Sequence, residues 1–174
     1  MKILAGATIF AIALTMATTA HASSTATMRA MDKVEHSDYS MDASIANNLY
    51  IVPDYIALHR PEVKYLEVHA KEAVPSILAR LKSTKPLHGE YTQAIYLRVL
   101  QLSQDSRALP VVADYFDSIP ENWTPDVTPS FLIATRIAKH WLHHDPIFAA
   151  DNEDANQIFR QRHHVAQMLR GVKA

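Results

Sequence analysis

The sequence predicts an all-α fold in which antiparallel helix pairs form an irregular bundle or a short solenoid. Three observations carry that expectation. Apolar residues recur at three- and four-residue spacing from about residue 43 to residue 170, the period of a helix with one buried face. Strand-like alternation is scarce. Beyond the first 22 residues the only glycines are Gly89 and Gly171, too few for the tight hairpins of a β protein. The 174-residue chain has no cysteine, so burial alone must hold it, and a domain of about 150 residues can bury about 68–70% of its unfolded surface.

The N-terminus reads as a cleavable export signal. Met1 and Lys2 precede an apolar run from Ile3 to Met16, and a stretch of mostly small residues follows from Ala17 to Ala22. Ala20-His21-Ala22 presents small side chains where a signal peptidase needs them, so cleavage is expected before Ser23. The run is short for crossing about 30 Å of hydrocarbon, and without cysteine no lipidated cysteine can start the mature chain. The expected product is extracytoplasmic, periplasmic or secreted, with no membrane anchor after cleavage. The expected layout is a signal at 1–22, a flexible polar arm at 23–42 with a helical turn around Met28 to Val34, and one all-α domain at 43–174.

Within that domain the elements follow in order. Helices are expected at Ala43–Ile51 and Asp54–His59, separated by Pro53. Pro61 opens the next, Glu62 to about Ala70, with Val63, Leu66 and Ala70 on one face, because a missing N–H costs nothing at a helix start. Glu72–Lys82 supplies Val74, Ile77, Leu78 and Leu81, and the segment from Ser83 to Pro86 with Gly89 ends that pair. Glu90–Gln104 carries two apolar stripes, Tyr91, Ile95, Val99 and Leu102 beside Tyr96, Leu97 and Leu100, so it belongs between other helices. Ser106 is the expected cap of Arg107–Ser118, and a loop from Ile119 to Thr128 holds Pro120, Trp123 and Pro125. Thr128-Pro129 opens a helix to His144 with Ala134, Ile137, Ala138 and Trp141 inward, and Asp145-Pro146 stops it. The last helix is expected from Asp154 to Arg170, burying Ile158, Val165, Met168 and Leu169 and stopped by Gly171.

Two segments repeat a pattern. In Lys71-Glu72-Ala73-Val74-Pro75-Ser76-Ile77-Leu78 and Ser106-Arg107-Ala108-Leu109-Pro110-Val111-Val112-Ala113 a proline sits near a helix opening, and the two prolines are 35 residues apart (110 − 75). This resembles the HEAT-like and armadillo-like α-helical repeat families over residues 61–118. The resemblance implies a scaffold that binds other proteins on a concave face, with no catalytic residues to carry over.

Composition excludes several chemistries. Two distant glycines cannot build a phosphate-cradling loop, and without cysteine there is no thiol nucleophile or iron–sulfur cluster. Neither Gly-x-Ser-x-Gly nor His-Glu-x-x-His occurs. Loss of Lys2 with the signal leaves 16 of 17 basic residues against 18 acidic ones, which argues against nucleic acid as a partner.

What remains favours a protein-binding or accessory module over an enzyme, with no cofactor and another protein as the expected partner. The alternative is a metal- or anion-binding protein. His140, His143 and His144 stand at three- and four-residue spacing at a helix end, a pattern that can chelate Zn or Cu, although cationic or polar side chains also suit a helix C-terminus. Arg136, Lys139, Arg160, Arg162 and Arg170 could add an anion-binding surface. Trp123, in its proline-bounded loop, is the candidate partner anchor, and Tyr39, Tyr50, Tyr55 and Tyr65 could mark a recognition surface.

Overall fold

The structure, a computed structural model, describes residues 25–46, 52–83, 87, 89–123, 128–149 and 155–172. The expected export signal and its cleavage point before Ser23 lie outside the described residues, as does Tyr50. Helix makes up 82% of the described residues, and no strand occurs among them. The fold is an all-α irregular bundle. No described helix is long and apolar enough to cross a membrane.

A first helix, α1, covers residues 25–36. It is followed by α2 (Ser40–Ala46), α3 (Val52–His59), α4 (Pro61–Val68), α5 (Ala70–Leu81) and α6 (Glu90–Ser103). A 3-10 turn (Ser106–Ala108) leads into α7 (Leu109–Ser118), and α8 (Pro129–Trp141), α9 (Pro146–Ala149), α10 (Ala155–Arg160) and α11 (Arg162–Gly171) complete the chain.

Helix α6 is the shared wall. It packs on α3, α4 and α5 on one side and on α8 on the other, while α7 lies between α8 and α11. The expected stripes do not divide that way: Ile95 and Val99 of one and Tyr96 and Leu100 of the other all join the first core with α1 to α5, while Leu97, with Ala94 from neither stripe, joins the second core with α7 to α11. Leu102, expected inward, is 42% exposed. The helix starts after Gly89 at φ +82°, a conformation only glycine adopts without strain, and ends at Gln104 in the left-handed region at φ +52°.

The arm expected at 23–42 is instead ordered, packed structure across residues 25–42. Thr27, Ala30, Met31 and Val34 fall at i, i+3, i+4 and i+7, and all four are buried. A stripe with one threonine and one alanine reads as polar chain in one dimension, yet all of it is buried, with Ala30, Met31 and Val34 in the first core. Tyr39 and Asp42 are buried too. Asp42 receives Arg60 at 2.6 Å, and the same guanidinium donates to the Asp38 carbonyl at 3.3 Å, which ties α2 to the α3–α4 junction.

Other boundaries moved for local reasons. The expected helix from Ala43 begins earlier, at Ser40, and Pro53 lies in the first turn of α3 rather than before it. Pro75 lies inside α5, whereas Pro110 stands in the first turn of α7. Ser106 does not cap α7: Asp105 caps the 3-10 turn, its carboxylate accepting from the Arg107 backbone N–H at 2.9 Å, and α7 continues from Ala108 without a side-chain cap. Helix α8 stops at Trp141, three residues short of His144. The single last helix is divided at Gln161 into α10 and α11, and the short α9 precedes them.

Candidate functional site

Two hollows and one histidine-rich turn are the features with chemical content. The first hollow is a groove of about 530 Å³ between α1 and α5. Met28 and Met31 from α1 and Ala79 from α5 give it apolar walls, while Asp32, Ser76 and Ser83 lie along its margin. Met28 is 53% exposed although Met31, three residues on, is buried in the first core. Three- and four-residue spacing explains the rest of the wall: Met28, Asp32 and Glu35 fall on one side of α1, and Ser76, Ala79, Arg80 and Ser83 on one side of α5 and its end.

A polar bridge spans this groove. Arg80 Nε donates to Glu35 Oε1 at 2.7 Å and the Tyr96 hydroxyl donates to the same carboxylate at 2.8 Å, both charged side chains being 17% exposed. Burial pushes the Glu35 carboxyl up, but the hydrogen bonds from Arg80 and Tyr96 and the Arg80 charge outweigh it, so the group sits below the usual carboxylate range. Burial and the ionised Glu35 both push the Tyr96 phenol up, which keeps it a donor. The bridge ties α1 to α5 and α6 at one place and leaves Met28 uncovered.

The second hollow, of about 260 Å³, lies where α6, α7 and the start of α8 meet the 119–123 turn. Here the structure places Trp123, half-buried, with its ring 5.4 Å from Phe131 edge-on and 6.0 Å from Phe159. Arg162 holds that turn. Its Nε donates to the Ile119 carbonyl at 3.2 Å and its Nη1 to the Phe159 carbonyl at 3.2 Å, with the guanidinium 4.6 Å from the Phe159 ring. The remaining lining is polar and, apart from Glu90, uncharged: Gln93, Tyr115, Ser118, Thr128 and Ser130. Burial raises the Glu90 carboxyl, only partly offset by a hydrogen bond with Thr128. A neighbouring hollow of about 250 Å³ shares Gln93, Tyr115 and Ser118.

The histidine cluster is only partly assembled. Because α8 ends at Trp141, His140 closes the helix while His143 and His144 lie in the turn after it, so the three do not share a helical face. The His143 and His144 rings are 3.7 Å apart, His143 Nδ1 donates to the His140 carbonyl at 3.1 Å, and the His140 ring stands edge-on to Trp141. Among the described residues no group of three or more His, Asp or Glu is placed to hold a metal.

The basic set is dispersed as well. Arg162 is buried, and Arg170 is engaged by Asp114 at 2.8 Å and Asp117 at 2.7 Å, the latter also meeting His163 at 2.7 Å. The tyrosines do not form one surface: Tyr39 is buried, Tyr55 stacks on His59 and Tyr65 on His69.

The residues that sequence reasoning missed are Met28, Glu35, Ala79 and Arg80. The helical period of α1, which puts Met28 and Glu35 beside its buried stripe, is a legible signal for the first two. The Glu35–Arg80 pairing, across 45 residues, is not. Comparison with protein-family models, with curated proteins and with solved structures gives no match to this chain.

Proposed function

We propose that this is an exported accessory protein that binds another protein by taking a row of the partner's apolar side chains into the α1/α5 groove. The observation that carries the reading is the groove itself, which the exposed Met28 lines together with Met31 and Ala79, beside Asp32, Glu35 and Arg80. A dry centre with a polar margin is the anatomy of a recognition surface, and methionine repacks around different guests at low cost. The guest that fits is an amphipathic helix, which offers apolar anchors at three- and four-residue spacing. Asp32 and Glu35 against Arg80 leave the margin with one net negative charge, so a lysine or arginine flanking the partner's apolar row is favoured.

The signal-like N-terminus supports the compartment, and the likeness of residues 61–118 to HEAT-like pairs, whose members bind proteins, points the same way. The test places a photo-crosslinking residue at position 28 in the cell and, as a control, at position 102. The reading expects one defined adduct from position 28 that is absent from position 102 and abolished by Ala79→Arg, which fills the groove from an exposed helical position. Adducts of equal yield from both positions, or one indifferent to Ala79→Arg, would contradict it. N-terminal sequencing of the same protein tests export separately, with Ser23 as the expected first residue.

A further inference from the structure

The Trp123 hollow has a different character from the groove, and its chemistry selects a different ligand. We propose that the hollow lined by Trp123, Gln93, Tyr115 and Ser118 binds an uncharged saccharide, with one sugar ring against the indole and a second in the adjoining hollow.

Three features lead there. The indole lines the hollow, is half-buried and packs against Phe131 at 5.4 Å and Phe159 at 6.0 Å, so the hollow has an apolar aromatic side chain of the kind a sugar's C–H face covers. The groups around it match a polyol. The Gln93 amide supplies two donors and an acceptor, while Ser118 Oγ donates to the Tyr115 carbonyl at 2.7 Å and Ser130 Oγ to the Glu90 carbonyl at 3.2 Å, so each hydroxyl oxygen is left to accept. Among the described residues no cation lines the Trp123 hollow, so they offer no counter-charge to a phosphate or carboxylate ligand.

Size and connection add the second ring. The two hollows, of about 260 and 250 Å³, meet at Gln93, Tyr115 and Ser118, so one amide and two hydroxyl-bearing side chains stand at the junction where a glycosidic linkage would lie. The far hollow carries the cation Lys82, and its Asp114 is held by Arg170 at 2.8 Å, so the selection against anionic ligands belongs to the Trp123 hollow, where the first ring sits. This site shares no residue with the α1/α5 groove, and neither reading depends on the other.

Trp141→Phe leaves Trp123 as the only indole in the chain, and its emission is followed while maltose, cellobiose or chitobiose is added. The proposal expects a saturable change with at least one disaccharide at about millimolar concentration, weakened at least about tenfold by Gln93→Ala or by Ser118→Ala in variants with unchanged far-ultraviolet circular dichroism. Calorimetry on the unaltered chain supplies the same isotherm should Trp141→Phe fail to fold. Co-sedimentation with insoluble chitin, cellulose or peptidoglycan, competed by the free disaccharide, separates a polymer source from a free sugar. The proposal is overturned by no saturation up to about 50 mM, by a linear drift equal to that of glycerol, by binding indifferent to both substitutions, or by saturation with an uncharged tripeptide alone.

Discussion

The two sides of α6 are built by different means. On the first side, α1 to α5 bury mainly aliphatic side chains, and the helices are cross-tied by arginine: Arg60 to Asp42, Arg80 to Glu35, and Arg98 to Asp54 and Glu67. On the second side, Phe116, Phe131, Trp123 and Phe159 interlock edge to face, and ion pairs lie at the surface between α7 and α11. Aromatic rings fill space and close the second side except where the 119–123 turn leaves its hollow. Helices held at points by ion pairs need not meet along their length, and the α1/α5 groove is the gap that results.

The largest effect should come from the second side. Phe131 is fully buried and touches three other rings, so Phe131→Ala should cost about 3–5 kcal/mol in urea unfolding and move the Trp123 emission before the first side melts. A cost under about 1 kcal/mol would mean that the rings are not interlocked.

Next comes the Glu35 bridge. Glu35→Ala leaves Arg80 and the Tyr96 hydroxyl without their shared acceptor, and should cost about 2 kcal/mol, between the values for exposed and fully buried pairs. The loss should be felt as freer exchange across residues 25–36, with the second side unchanged. The same bridge gives a pH dependence. A carboxyl whose folded pKa is depressed contributes stability that is fully present above its unfolded value of 4.5 and is lost as pH falls through the folded value. Acidification below 4.5 should therefore loosen α1, and Glu35→Gln should remove that response.

The smallest effect has the opposite sign. Burial raises the Glu90 carboxyl, so its ionised form opposes folding at neutral pH, and that penalty disappears once the group is protonated. Glu90→Gln should stabilise by less than about 1 kcal/mol near pH 7, allowing for solvent screening, and by nothing measurable below the ordinary value of 4.5.

How much of this was legible in the sequence depends on range. Helical period, Pro129 at a helix start and the two-faced character of α6 are written in neighbouring residues, and they came through. Helix α1 was written there too, but its buried stripe uses Thr27 and Ala30, which carry little hydrophobic signal one at a time. Trp123 could be singled out by type, whereas its polar neighbours Gln93 and Ser130 come from other helices and no spacing announces them. The histidine cluster failed to align because Trp141, not His144, ends the helix, and helix ends are set by capping geometry more than by periodicity.

The central claim is that residues 25–36 form a fixed wall against α5 and not a loose leader to the bundle. Hydrogen exchange on the purified protein tests it at single-peptide resolution. Amides from Met31 to Glu35 should exchange at least about a hundredfold more slowly than those of an unstructured peptide, and Glu35→Ala should selectively release them. Exchange of that segment at the unstructured rate in the unaltered protein would contradict the account, because without the wall there is no groove.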